Sequence, residues 1–472
     1  MSGPDVDVLV LGSGGAGLTA AVEASAAGAS VLVAEAGTVI GGATRLSSGI
    51  VMGAGTRLQR DHGIDDTPRA LFQHYMASNQ WKIETACVKR LCDEAGLTIE
   101  WLVDLGAKVT GLIPSGDEPQ PRGHAFDGGG QAIVDLLHGL LRQRPGVEFA
   151  LGRRVDRFLV DAAGRVVGAA VGDDAVRAGA VIVAMGGTGG NFDVAARYAP
   201  EPMAAAGDWA FTYWPDTCQG DALTLAGQVD AQIIGHGRQI NSLRPNFSEE
   251  PAMYLPGWLV VVNRAGRRFF DETSPYSVTQ GLVYAQGGPV YAVFDDAAKR
   301  ASQPSSTYAD TKVLIEGAMW EDWVEPVIDE NLARGKVVCR DTVEELAEAI
   351  GVPAANLAGT VDRYNEGVRA GKDLFYLKEP GYMRPVDTPP YYATELRVRM
   401  IGISATGLRI DEDGRVLSNR SAPIPGLYAA GECVGGIIGD IYMGSGNSLA
   451  QCLTYGRIAG RTAVADLTRP AS

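Results

Sequence analysis

The sequence predicts an α/β fold, one largely parallel sheet domain interrupted by an α+β insertion, and three observations predict it. A β-rich apolar run near the N-terminus enters a glycine-rich turn and then an alanine-rich helix. A comparable run near residue 430 enters a glycine and an acid. The block between them, carrying prolines, tryptophans and amphipathic helical patterns, departs from that texture.

Each element follows in order. Val6-Asp7-Val8-Leu9-Val10-Leu11 reads as a strand, Gly12-Ser13-Gly14-Gly15-Ala16-Gly17 as a tight turn, residues 18–27 as a helix and residues 30–35 as a second strand. Gly12, Gly14 and Gly17 stand in G-x-G-x-x-G spacing, with Glu35 at the end of the second strand. Gly12 allows the turn, Gly14 lets backbone N–H groups of Gly15 and Ala16 approach a pyrophosphate, and Gly17 lets the helix pack close to its strand. The helix dipole then faces the negative charge. Glu35 is the acceptor for adenosine ribose hydroxyls, so this unit is expected to bind a dinucleotide.

The next stretch decides which one. Ile40-Gly41-Gly42-Ala43-Thr44-Arg45-Leu46-Ser47-Ser48-Gly49 is a second loop of small residues, suited to a bulky planar cofactor rather than to NAD. Val181-Ile182-Val183-Ala184-Met185-Gly186-Gly187 is another strand running into a glycine turn at the cofactor edge. Ala163-Gly164-Arg165 and Asp413-Gly414-Arg415 read as hairpin turns. Helices are expected at 343–350 and 357–370. Gly426-Leu427-Tyr428-Ala429-Ala430-Gly431-Glu432 is the C-terminal strand, followed by turn and helix over 444–460. FAD is the cofactor this pattern predicts, in a Rossmann-like FAD-binding domain with an inserted α+β cap, the catalytic domain. The expected division is 1–237 and 393–472 for the FAD domain and 238–392 for the cap.

Composition narrows the partners. The 472 residues are 46% hydrophobic and 21% charged, enough to bury a large core. Lys plus Arg number 41 against 56 Asp plus Glu, and the resulting net charge of −15 speaks against nucleic acid and against an anionic membrane surface. The N-terminal residues lack the pattern of a signal peptide, no apolar run has membrane-spanning length, and a cytoplasmic location is expected. Six cysteines without a C-x-x-C pair and five scattered histidines predict buried free thiols and no metal site. A second dinucleotide motif is absent, which leaves the electron acceptor unassigned.

Nearly the whole chain resembles the fumarate reductase and succinate dehydrogenase flavoprotein superfamily. The glycine motif, the loop from Gly41 to Gly49, Gly220-Asp221, Pro389-Pro390-Tyr391-Tyr392-Ala393 and Ala429-Ala430-Gly431-Glu432 carry the resemblance. It implies that Ala36, Val155, Ala184, Asp221, Ser448 and Leu449 also surround the flavin. Members that reduce fumarate use an arginine proton donor and histidine and arginine clamps for two carboxylates. Tyr276 stands at the position of that donor, and Ile403 and Met443 stand near positions that carry charge in such members.

Phe270-Asp271-Glu272-Thr273-Ser274-Pro275-Tyr276 and Tyr442-Met443-Gly444-Ser445-Gly446 are instead similar to ketosteroid dehydrogenases. That resemblance implies proton abstraction by Tyr276, carbonyl polarisation by the Tyr442 hydroxyl and the Gly446 N–H, and hydride acceptance by non-covalent FAD. The expected reaction is introduction of a C=C bond α,β to a ketone in a cyclic substrate. A phenol of pKa about 10 needs nearby positive charge or a relay to act as that base. An additional tyrosine of those enzymes has no counterpart between Gly111 and Asp127, and the chain is shorter than a typical steroid-acting member. Both departures favour a smaller ketone of cyclohexanone type. Arg122 and His124 occupy a loop that faces the substrate in some relatives and reads equally as a solvated turn, and Arg244 or Arg399 read as partners for a substrate carboxylate. The competing reading, a reductase of an α,β-unsaturated acid, needs a strong acid where Tyr276 stands.

Overall fold

The computed structural model describes residues 3–114, 120–237, 239, 242–248, 255–305 and 321–468. Met1 and Ser2 of the N-terminus, part of the tyrosine-free stretch before Asp127, and cap residues 306–320 therefore lie outside the described residues. Val8, Leu9, Val10 and Leu11 are at most 2% exposed, because Val6–Leu11 is covered on both faces at the centre of a sheet. Val31–Ala34 pairs with it in parallel on one side and Asp174–Val183 on the other. Val147–Ala150 extends the sheet beyond Val31–Ala34, and Pro423–Ala429 returns from the C-terminal region to pair in parallel with Asp174–Val183. An antiparallel extension, Arg157–Val160 on Val166–Val171, turns at Gly164, and the 413–415 turn reverses between the bridge partners Ile410 and Val416.

Two helices bind the chain ends together. Gly15–Ala26 lies against Asn447–Thr468 so closely that a Cβ at Gly456 would fall 2.4 Å from the Ala16 carbonyl oxygen, and one at Gly460 would fall 2.5 Å from that of Ala20. This small-residue seam holds the N-terminus of the last helix beside the glycine turn. Arg457 and Glu23 add an ion pair at 2.6 Å across the same interface.

The cap is built on its own antiparallel sheet. Tyr391–Val398 pairs with Val290–Asp295 on one edge and with Leu243–Pro245 and Val338–Arg340 on the other, and Val260–Val262 flanks Val290–Asp295. Helices Val343–Ile350 and Ala354–Arg369 cover it, the first capped by the Thr342 side chain accepting from the Glu345 N–H. The second starts three residues before the sequence pattern places it, because Pro353 occupies the N-cap and the pattern tracks only the buried face.

A buried ionic cluster fastens the cap segment that leads to Tyr276. Glu272, fully buried, meets Arg268 at 2.7 Å and Lys378 at 3.0 Å and accepts the Val261 N–H at 2.9 Å, while Arg268 also meets Asp373 at 2.7 Å. Burial by itself raises the Glu272 carboxyl, but Lys378 and Arg268 reverse this and hold it below the usual carboxylate range. Two cations balance two anions, the condition under which such burial is tolerated. No helix among the described residues is long and apolar enough to cross a membrane.

Candidate active site

The glycine turn, the end of the second strand, the small-residue loop and the C-terminal strand converge on one cavity. Gly12, Gly14, Gly15, Ala16, Glu35, Ala36, Gly42, Ala43 and Thr44 line it from the N-terminal side. Val155, Ala184, Gly186, Asp221, Gly431 and Glu432 complete it.

The three motif glycines have separate reasons. Gly12 has φ +106°, and a Cβ there would fall 2.3 Å from the Ala184 carbonyl oxygen. At Gly17 a Cβ would fall 1.9 Å from the Gly12 carbonyl oxygen, so this glycine sets the helix-to-strand distance. Gly14 is different. Its backbone is extended, and a Cβ would meet no protein atom closer than 4.0 Å. The space beside it is cavity, which fits a pyrophosphate approaching the helix N-terminus. The Ser13 N–H and hydroxyl hold one Glu35 oxygen at 2.9 and 2.6 Å and the Gly37 N–H holds the other at 2.7 Å, fixing the carboxylate at the cavity wall.

The remaining expected cofactor residues do not line the cavity. Gly41 supports it from behind, its N–H donating to the Ser13 carbonyl at 3.1 Å. The Ser47 hydroxyl bonds the Thr44 carbonyl at 2.8 Å, Gly49 packs on the Gly129 backbone, and Ser48 is exposed. Gly187 packs against the Glu432 side chain. Ser448 and Leu449 lie in the first turn of the last helix. Glu432 itself receives the Trp214 indole N–H at 2.8 Å and the Ser404 N–H at 2.9 Å, and its burial pushes the carboxyl up to about 7 against the pull of those two bonds.

Sequence reasoning missed Arg153, Arg154, Thr217 and Cys218, which also line the cavity. Arg154 pairs with Asp221, which ties the expected cofactor residue to an unforeseen neighbour. Burial pushes the Asp221 carboxyl up, with Arg154 working against it. The signal for the arginines was their adjacency to Val155.

The two tyrosines come from distant segments of the chain. Tyr276 opens the cap helix Tyr276–Tyr284, behind a turn in which the Thr273 N–H and hydroxyl both donate to Asp271 at 2.8 Å. Tyr442 lies in the loop that precedes the last helix. Their ring centroids are 6.4 Å apart with planes inclined at 53°, and they form one buried cluster with Ala405, Ile438 and Ile403. The Ser448 N–H donates to the Tyr442 hydroxyl at 3.1 Å. Accepting that bond strengthens the hydroxyl as a donor in its own right. The Gly446 carbonyl accepts from Met52 at 3.1 Å and from Ala450 at 2.9 Å, which fixes the Gly446–Asn447 peptide, adjacent to the one that carries the Gly446 N–H.

Residues 7–449 match the family described as FAD binding domain. The chain belongs to this family. FAD is therefore the cofactor, and the protein is an FAD-dependent oxidoreductase. The chain is 29% identical to a fumarate reductase (cytochrome) of Shewanella frigidimarina, over 97% of its own length and 77% of that protein's. It is 26% identical to the 4-oxocyclohexanecarboxylate 2-dehydrogenase of Sinomonas cyclohexanicum, over 97% and 92%. Among solved structures it is similar to the 3-ketosteroid-Δ4-(5α)-dehydrogenase of Rhodococcus jostii RHA1 in complex with 4-androstene-3,17-dione. That similarity has TM-score 0.78 and 27% identity and covers 98% of both chains.

Two expectations need correction in this FAD-binding protein. Arg122 and His124 are not a solvated turn: they are 1% and 0% exposed, because Gly123–Phe126 is a strand paired with Ile50–Met52. Arg122 forms an ion pair with Asp66 at 2.7 Å, and burial lowers the His124 imidazole to about 4. Arg399, also buried, donates through Nε and Nη1 to the carbonyls of Trp209, Pro245 and Ser248. Cys339 and Cys452 are half-buried rather than buried.

Proposed function

We propose that the enzyme introduces a C=C bond α,β to the carbonyl of a small cyclic ketone. The observation that carries this reading is the buried pairing of Tyr276 with Tyr442. Breaking an unactivated C–H bond requires electron density to build at the neighbouring carbon, and a ketone provides it only when its oxygen is stabilised as charge develops. Tyr442 donates to that oxygen through its hydroxyl, and the Gly446 N–H is the second donor. Tyr276 takes the α-proton on its phenolic oxygen. FAD supplies the acceptor for the β-hydride when bound.

Ile403, Ala405 and Ile438 give the substrate side an aliphatic wall. Such a wall suits a ring and offers no charge-assisted bond to a dicarboxylate. The identity with a dehydrogenase of 4-oxocyclohexanecarboxylate supports the small-ring version, while the match to a ketosteroid dehydrogenase over 98% of both chains removes chain length as an argument against a steroid. Identity with fumarate reductase favours a second reading, reduction of an unsaturated acid. Position 276 carries a neutral phenol where that chemistry uses a cationic arginine, so it offers an unsaturated acid no positive charge and no bidentate fork.

Anaerobic titration separates the two. Saturated cyclic ketones, 4-oxocyclohexanecarboxylate and cyclohexanone among them, should bleach the flavin absorbance, and fumarate should leave dithionite-reduced enzyme reduced. Rapid reoxidation by fumarate, with no bleaching by any ketone, would replace this reading with the second.

A further inference from the structure

The geometry points to Asn79 as the residue that positions Tyr442 for work on the substrate carbonyl, an inference that rests on the function proposed for Tyr442 above. Asn79 is 4% exposed and follows the last residue of helix Pro68–Ser78, in the FAD domain. Its carboxamide engages both backbone groups of Ile441, the residue immediately before Tyr442. The Ile441 N–H donates to Asn79 Oδ1 at 3.0 Å, and Asn79 Nδ2 donates to the Ile441 carbonyl at 3.0 Å. A donor and an acceptor on one rigid plane thus fix the peptide on either side of Ile441, as a neighbouring strand would.

The surroundings show that this fit is tight. A Cβ at Gly439 would fall 2.0 Å from Asn79 Oδ1, so the loop carrying Tyr442 closes onto the carboxamide without space for any side chain there. Asn79 is itself held, donating to the Tyr75 carbonyl at 3.3 Å. Tyr75 in turn sends its hydroxyl to the Ile437 carbonyl and to Asn447 Oδ1, each at 3.1 Å. Gln80 and Trp81, directly after Asn79, both take left-handed backbone, with φ of +52° and +58°. Two consecutive non-glycine residues in that region cost free energy, which the contacts around Asn79 must offset. Tyr442 is therefore fixed at both ends: its backbone through Ile441 and Asn79, its hydroxyl by the Ser448 N–H. Asn79 reaches the substrate only through Tyr442, so it is a positioning residue, and its loss should matter only while the Tyr442 hydroxyl is present.

A double-mutant cycle tests this. Wild type, Asn79→Ala, Tyr442→Phe and the double variant are compared for FAD content, melting temperature, and the anaerobic rate and half-saturation of flavin reduction by 4-oxocyclohexanecarboxylate and cyclohexanone. Asn79→Ala should keep its FAD and lose about 10- to 100-fold in rate, with a smaller change in half-saturation. In the Tyr442→Phe background the same change should alter the rate by less than about twofold. Should Asn79→Ala lose its FAD, Asn79→Asp takes its place in the cycle; it keeps the packing against Gly439 and the acceptor for Ile441. Its rate should recover as pH falls, because a protonated carboxyl again offers both a donor and an acceptor. A Tyr442→Phe enzyme as fast as wild type, or a wild type that reduces its flavin with no ketone, removes the parent reading and this inference with it. A slow Tyr442→Phe enzyme that Asn79→Ala slows further by its full single-variant factor, or an Asn79→Ala enzyme as fast as wild type, removes this inference alone.

Discussion

Tyr276 of the cap and Tyr442 of the FAD domain face one another in a buried aliphatic cluster, ring centroids 6.4 Å apart. Their proposed roles differ, so their variants should fail differently. Tyr276→Phe should retain FAD and bind ketone while flavin reduction falls by several orders of magnitude. Tyr442→Phe should lose about 10²–10³ in rate, the usual cost of one donor to a developing oxyanion. Exchange of the substrate α-hydrogen in D₂O, followed by NMR with the flavin already reduced, isolates the proton step. Wild-type exchange in the Tyr276→Phe variant would reduce that residue to packing.

Gly14 and Gly17 should separate cofactor binding from folding. Gly14 has ordinary extended backbone and no protein atom within reach of a Cβ, so Gly14→Ala should leave apoprotein stability within about 0.5 kcal/mol and weaken FAD binding about tenfold or more. At Gly17 a Cβ would fall 1.9 Å from the Gly12 carbonyl oxygen, and Gly17→Ala should destabilise even the apoprotein by roughly 1–3 kcal/mol. Apoprotein melting curves and FAD titrations measure the two effects. Equal losses of stability in both variants would contradict the assignment.

The flavin should leave the denatured protein intact. Gly41, Gly42 and Ala43 supply no nucleophile, and the two thiols lining the cavity are pushed up by burial, Cys452 to about 12 and Cys218 further still. Thiolate is scarce at neutral pH under those conditions. Acid precipitation should therefore leave a colourless pellet, and flavin fluorescence travelling with the polypeptide on a denaturing gel would refute it.

Glu432 should imprint a pH dependence on the apoprotein. Its carboxyl lies near 7 in the folded chain against an ordinary 4.5, so the native state holds a proton that the unfolded state has released across that interval. Stability from this group is fully present below 4.5 and is lost as pH rises through 7. Glu432→Gln removes the dependence, so the melting temperature of the variant relative to wild type should climb between about pH 5 and about pH 8. Parallel melting curves across that range would show the carboxyl to be ionised throughout.

Much of the fold and of the flavin cavity was legible in the residue order. The Gly12 to Gly17 turn, the Glu35 acid and the Gly431-Glu432 strand end are contiguous units of recognisable composition and spacing, and the steric need for Gly17, the Gly12 carbonyl, lies within the same turn. Arg153 and Arg154 were overlooked, since their one signal, adjacency to Val155, does not say that their own side chains reach the cavity. Arg122 and His124 were misread because a proline and a glycine flank an otherwise polar stretch, and only pairing of Val51 with His124 in the sheet buries it.

The sequence by itself determined the α/β class, the FAD turn, the cofactor and the identity of the two tyrosines. The tertiary structure decided that these tyrosines meet, that Glu432 is buried against Trp214, and that Asn79 holds the peptide before Tyr442. The physical reason is range. Backbone dihedrals and the helix N-terminus are set by residues a few positions apart, whereas burial and carboxamide-to-backbone pairing arise only when distant segments close onto one another.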